Sequence, residues 1–234
     1  MKKVLVLSAS AGAGHLRAAE AIEKALMQLA TPVEIKNIDV LKYTNKAFRN
    51  LYSKAYLELV NNAPDLLGWL YDQFDEPGKN ERLRLAFDKL NMQPFIRMLQ
   101  AYQPDITVCT HFLPSEIIPH LKGKGRFQGK LAVVVTDFDV HAMWLCRHFE
   151  HFFVALEETK VHLMELGVPV EKLTVSGIPI DPVFAEIRDR SALQKKHGLA
   201  SDRLTILVSA GGFGVGPIEH LLSSLLKLQT NVQV

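Results

Sequence analysis

Lys3-Val4-Leu5-Val6-Leu7-Ser8-Ala9-Ser10-Ala11-Gly12-Ala13-Gly14-His15 lies at the start of the chain, and its reading decides the fold. Lys3 to Ser8 is a short β-branched and leucine-rich run closed by small residues, the pattern of a buried strand. From Gly14 to Leu29, the residues Ala18, Ala21, Ile22, Ala25 and Leu29 recur at helical spacing. Val33 to Val40 reads as a second strand. Strand, glycine turn, helix and strand form a β-α-β unit, and its right-handed crossover demands parallel pairing. The class is α/β.

Working outward, Lys42 to Tyr102 carries no strand pattern and reads as a helical insertion punctuated by Pro64, Pro77-Gly78 and Pro94. Strand signals resume at Asp105 to Cys109, Lys130 to Thr136, His151 to Ala155 and Leu173 to Val175, with helices predicted at Ser115 to Leu121 and Glu157 to Leu166. These complete a doubly wound parallel sheet. Gly177-Ile178-Pro179-Ile180-Asp181-Pro182 cannot continue a strand or helix, because proline lacks a backbone donor and biases its predecessor to extended geometry. After a short helix at Ser191 to His197 the pattern restarts: strand Leu204 to Ser209, glycine loop Ala210 to Gly216, helix Pro217 to Leu228, and a strand start at Asn231. The expected organisation is a complete Rossmann-like domain over 1–176, a linker and short helix over 177–199, and the opening of an incomplete second Rossmann-like domain over 200–234.

Length and charge narrow the function. A chain of 234 residues holds one or two domains. Lys plus Arg at 27 against Asp plus Glu at 25 leaves a formal charge of +2, which gives no case for nucleic acid as the main partner. Two cysteines, Cys109 and Cys146, cannot build a disulfide framework and suit a reducing cytoplasm. The opening apolar run is too short for a signal peptide, and no stretch approaches the roughly 18 apolar residues needed to cross a bilayer.

Three segments could carry chemistry. In the first, Gly12 and Gly14 let the backbone approach a ligand, and free amides at a helix N-terminus favour an anion. Arg17 stands where a dinucleotide fingerprint wants a small residue, and the Gly-Lys-Ser/Thr of a Walker loop is absent. His15 falls at the carboxyl end of the first strand, where open α/β sheets bind ligands, and an imidazole suits removal of a proton from a hydroxyl. The same spacing suits a capping or surface histidine.

The second segment is Thr136-Asp137-Phe138-Asp139-Val140-His141-Ala142-Met143-Trp144, again after a strand. Asp137 suits orientation of an imidazole or a substrate hydroxyl, and Phe138 and Trp144 suit an apolar wall. A turn-forming or capping Asp fits the position too. His141, Cys146, His148 and His151 match no standard zinc spacing, so no metal is expected. The third segment, Ser209-Ala210-Gly211-Gly212-Phe213-Gly214-Val215-Gly216-Pro217, suits a phosphate or acceptor cradle ahead of a helix, with a structural loop as the alternative. In the insertion, Lys42, Lys46, Arg49 and Lys54 interleave with Tyr43, Phe48, Leu51, Tyr52, Tyr56 and Leu57, a basic amphipathic face that suits either an anionic membrane or packing on the sheet.

Together these residues resemble the monogalactosyldiacylglycerol synthase and processive diacylglycerol glucosyltransferase family, with a more distant similarity to the peptidoglycan glycosyltransferase that makes lipid II. The resemblance covers essentially the whole chain. It rests on Leu7-Ser8-Ala9-Ser10 with Gly12-x-Gly14-His15, on Thr136-Asp137-Phe138 with His141 and Trp144, on Gly167-Val168-Pro169 through Gly177-Ile178-Pro179-Ile180, and on Gly211-Gly212-x-Gly214-x-Gly216-Pro217.

The resemblance implies a GT-B fold and an inverting transfer of hexose from UDP-glucose or UDP-galactose to diacylglycerol, at the inner face of the cell membrane and without a further cofactor. It implies His15 as general base, with Asp137 as a second catalytic candidate. Gly12, Gly14, Phe138, His141 and Trp144 would face the acceptor, and Gly211, Gly212, Gly214 and Gly216 the donor diphosphate. Ala13 replaces a glycine found in many relatives. The family's later donor contacts fall beyond these 234 residues, which implies a C-terminally truncated chain. The alternatives are a non-catalytic lipid-binding fragment and a nucleotide-sugar epimerase of the same fold.

Overall fold

A computed structural model describes residues 1–46, 48–49, 90–211, 216–227 and 230–234. The chain forms two units, Met1–Pro182 and Val183–Val234.

The first unit begins with β1 (Lys2–Ser8), α1 (Ala13–Met27) and β2 (Val33–Asp39), the expected opening unit. Lys2 pairs with Val33 and Ser8 with Asp39 in parallel register. The helix stops before Leu29, which is 54% exposed and does not join the core as its spacing suggested. A short turn of 3-10 helix, Val40–Tyr43, follows. Next come α2 (Gln93–Tyr102), β3 (Ile106–Cys109), α3 (Phe112–Gly123), β4 (Lys130–Val134), β5 (His151–Val154), α4 (Glu157–Glu165) and β6 (Leu173–Val175).

Six parallel strands lie in the order β2-β1-β3-β4-β5-β6. On β1 the side chains alternate: Val4 and Val6 pack toward Ala19 of α1, while Leu5 and Leu7 join Phe95 and Leu99 of α2 and Ile117 of α3. Both faces of the sheet are therefore covered, which is why its strands read as continuous apolar runs. Each fully buried leucine contributes about 1.5–3 kcal/mol of transfer free energy. The helix expected from Ser115 begins earlier, at Phe112, because Pro114 falls in its first turn, where no backbone donor is needed.

A short 3-10 turn, Pro182–Ala185, begins at the last residue of the first unit, and the second unit goes on with α5 (Arg190–Lys196), β7 (Leu204–Thr205), α6 (Ile218–Leu225) and β8 (Val232–Gln233). β7 and β8 pair in parallel through Leu204–Val232 and Thr205–Gln233. The strand expected to reach Ser209 is thus two residues long, and the helix expected to reach Leu228 ends at Leu225. Among the described residues of this unit none is buried; Leu207 is 90% and Leu226 82% exposed.

Candidate functional site

β1 sits between β2 and β3, so the chain leaves β1 to one side over α1 and later returns on its other side. The loops after β1 and β3 diverge there, and in an open α/β sheet that switch point is where a ligand crevice lies. His15, in the first turn of α1, and Thr110-His111, directly after β3, meet at this place.

The His15 Nδ1 is 2.9 Å from the Thr110 carbonyl oxygen. A carbonyl only accepts, so Nδ1 carries the proton and Nε2 keeps its lone pair. The Thr136 hydroxyl oxygen lies 2.8 Å from the same nitrogen and shares that proton. In return the Thr110 hydroxyl donates to the His15 carbonyl at 2.9 Å. Three strands, β1, β3 and β4, thus fix the ring.

The loop between β1 and α1 is held as firmly. Asp39, at the end of β2, accepts from the Ser10 and Leu41 backbone amides at 3.1 Å each. Gly12 caps α1 without a side-chain hydrogen bond, and no acidic residue occupies the first turn, so the positive end of the helix dipole is left unneutralised by side chains. Gly12 has φ −152° and ψ 147°, extended geometry open to any residue. Its role is spatial: a Cβ there would stand 3.4 Å from His15 Cδ2 and 3.8 Å from Nε2. An added Cβ at Gly14 meets nothing within 4 Å.

A second histidine supports the first. The His111 ring stands 4.5 Å from that of His15, centroid to centroid, at 71°. His111 is 1% exposed. Its Nδ1 accepts from the Leu113 amide at 3.0 Å, capping α3. Burial holds the His111 imidazole well below the usual histidine range, and the neighbouring His15 and His141 push the same way. His15 is also lowered, chiefly by burial, against the opposing pull of the Asp137 carboxylate and the Thr110 carbonyl. At neutral pH His15 is an uncharged base.

The second segment is brought to the same end of the sheet, with its parts divided differently from expectation. Asp137 accepts from the Trp144 indole N–H at 2.7 Å and lies 3.7 Å from His141 Nε2. It acts on His15 through its charge, while Thr110 and Thr136 take the hydrogen bonds. Trp144 is 0% exposed and Phe138 65%, so the expected wall of two rings does not form. Trp144 has no surface to offer a ligand and instead backs a cluster in which Phe112 stacks edge-on to both His141, at 5.2 Å, and Trp144, at 5.9 Å. The Phe138 carbonyl accepts from the Thr159 hydroxyl at 2.6 Å.

Thr110, His111 and the part played by Thr136 were not foreseen. The signal was Cys109-Thr110-His111 at a strand's carboxyl end, which matters only once β3 is known to lie beside β1. The histidines and cysteine near residue 146 do not converge: His151 bonds to Thr174 at 2.8 Å, and burial pushes the Cys146 thiol up to about 12. Among the described residues no group of three His, Cys, Asp or Glu side chains is placed to hold a metal ion. In the second unit, Gly211 (φ 65°) and Gly216 (φ 128°) adopt left-handed backbone that favours glycine; Gly212 and Gly214 lie outside the described residues. Of the basic aromatic stretch, Phe48 is buried and Tyr43 packs on the core, with Lys42 and Lys46 exposed; Leu51, Tyr52, Lys54, Tyr56 and Leu57 lie outside the described residues, as do Pro64 and Pro77-Gly78. Among the described residues no helix is long and apolar enough to cross a membrane.

A family model described as monogalactosyldiacylglycerol (MGDG) synthase matches residues 15–180. The chain is 25% identical over 235 residues to a processive diacylglycerol beta-glucosyltransferase of Staphylococcus haemolyticus (strain JCSC1435), covering 100% of this chain and 59% of the relative. An enzyme of the same name from Bacillus pumilus (strain SAFR-032) is 27% identical over 237 residues, covering 100% and 60%. The chain therefore spans about three fifths of the length of these curated relatives. Among solved structures, the apo form of the lipopolysaccharide outer core galactosyltransferase WaaB gives a TM-score of 0.49 at 15% identity, over 100% of this chain and 59% of that one. The S. aureus MnaA-UDP co-structure gives 0.44 at 12% identity, over 88% and 52%.

Proposed function

The chain belongs to the monogalactosyldiacylglycerol synthase family, and from that premise we propose that it is the acceptor-side portion of an inverting hexosyltransferase of the GT-B type. The reaction moves a hexose from a UDP-sugar to the free hydroxyl of diacylglycerol. His15 Nε2 takes the hydroxyl proton as the acceptor oxygen forms its bond to the anomeric carbon and the bond to the departing UDP breaks. Lowered basicity suits the role, since the ring is free to accept a proton at neutral pH.

One observation carries the proposal: Nδ1 of His15 is committed to the Thr110 carbonyl, and the Nε2 edge borders a glycine at the sheet's switch point. Gly12 and Gly14 keep the loop low, Asp137 favours the imidazolium formed in the transition state, and His141 and Phe138 belong to the acceptor side. In the second domain the loop Gly211 to Gly216 is assigned to the donor diphosphate. Lys42 and Lys46, both exposed, suit contact with an anionic lipid surface, which favours a peripheral place at the inner face of the cell membrane.

The test is transfer of labelled sugar from UDP-glucose or UDP-galactose to diacylglycerol in vesicles, with His15→Ala in parallel. Lipid-linked product that falls about 10²- to 10⁴-fold in the variant supports the base. Undiminished product overturns it. Vesicle binding without product favours a lipid-binding portion that works only with the rest of a donor domain, a second reading favoured by the absence of buried side chains among the described residues 183–234.

A further inference from the structure

We propose that His111 is a positioning residue for the His15 base: packed against it edge-on, the His111 ring keeps the His15 imidazole dry and turned with Nε2 toward the crevice. This role rests on reading His15 as the base. Two contacts of His111 can be separated by substitution. Its Nδ1 accepts from the Leu113 amide and caps α3, a task for which Asn, Ser, Thr or Asp is the ordinary choice. An imidazole is not needed for a cap, and burying one at 1% exposure carries a desolvation cost that a cap does not require.

The ring accounts for that cost. With Nδ1 accepting, the neutral ring holds its proton on Nε2. Its centroid stands 4.5 Å from that of His15, with the rings at 71°, and 4.2 Å from that of Phe112. No water fits between rings in such contact, so the flank of His15 that faces β3 is sealed by an uncharged aromatic.

Among the described residues, other charged or titratable groups also bear on this cluster. From the loop after β4, Asp137 opposes the effect by favouring a charged His15. His141 bears on the neighbouring His111, where, like His15, it disfavours added positive charge. On α1 itself, Arg17 and Glu20 pair with each other at 2.7 Å in solvent. Thr110 and Thr136 are uncharged. The rings of His111 and Trp144, the latter 6.4 Å away, supply the apolar cover.

The two tasks are separated by two substitutions, read by side-chain NMR titration of His15 in the 234-residue chain. His111→Asn keeps a cap acceptor and deletes the ring; the His15 midpoint is expected to move up toward the ordinary histidine value. His111→Phe keeps the ring and deletes the cap; the midpoint is expected to stay in place while thermal stability falls. An unchanged midpoint in H111N overturns the proposal. Should H111N fail to fold, H111F decides: an unmoved midpoint supports the role, and one returned to the ordinary value overturns it. The titration uses no substrate, so its failure leaves the sugar-transfer reading standing. An inactive chain, conversely, leaves the titration result intact.

Discussion

Thr110 and His15 are joined twice, and in opposite senses: the imidazole Nδ1–H donates to the Thr110 carbonyl, and the Thr110 hydroxyl donates to the His15 carbonyl, each at 2.9 Å. The two bonds lock the end of β3 to the first turn of α1 across the point where the sheet changes direction. Thr110→Val keeps the carbonyl and deletes the hydroxyl. It is expected to cost about 1 kcal/mol, the usual net worth of one internal hydrogen bond, in urea unfolding. Unaltered stability would mean that the hydroxyl bond does not hold the turn.

Gly12 separates backbone need from spatial need. Its φ of −152° is open to alanine, and the new methyl would stand at ordinary contact distance from His15. Gly12→Ala is therefore expected to leave the Tm within a few degrees of the parent. It should lower kcat/KM at least about 10-fold by filling the space beside Nε2, about 1.4 kcal/mol of transition-state stabilisation. A large Tm loss with normal turnover would assign the glycine to folding instead.

Asp137 reaches His15 through charge alone. Asp137→Asn keeps an oxygen for the Trp144 indole and removes the charge that raises the His15 midpoint. The acidic limb of the pH-rate profile is expected to move to lower pH, with the catalytic maximum reduced because the imidazolium of the transition state loses its counter-charge. A limb that moves upward contradicts the assignment.

The two lowered histidines make stability depend on pH. Both are more readily protonated unfolded, near the ordinary value of about 6.5, than folded. The unfolded chain therefore binds more protons below that value, and stability falls as pH drops from about 6.5 toward the folded midpoints. Thermal melts from pH 7.5 to 5 are expected to show this decline, with about 2–4 °C of Tm for each kcal/mol lost. The decline should be shallower in H111N, and an equal slope in both proteins would contradict the burial account.

The strands and their parallel pairing were legible because a sheet covered on both faces imposes continuous apolar runs, as in Val4 to Leu7 and Leu131 to Val134. His15, Gly12 and Asp137 were legible because each follows a strand and carries distinctive chemistry. Thr110 and His111 were not, since their importance comes from β3 lying against β1, a pairing across about a hundred residues that no local pattern records. Trp144 was misjudged for a related reason: an aromatic after a strand serves a wall or a core equally well, and only packing against Phe112 and Asp137 decides between them.

The central claim is that His15 presents an unprotonated Nε2 at neutral pH, and the imidazole ¹⁵N spectrum of the protein reports this directly. The expected result is a protonated, pyrrole-like Nδ1 and a bare, pyridine-like Nε2 at pH 8, with one tautomer dominant. A proton on Nε2, or an even mixture of tautomers, would contradict it.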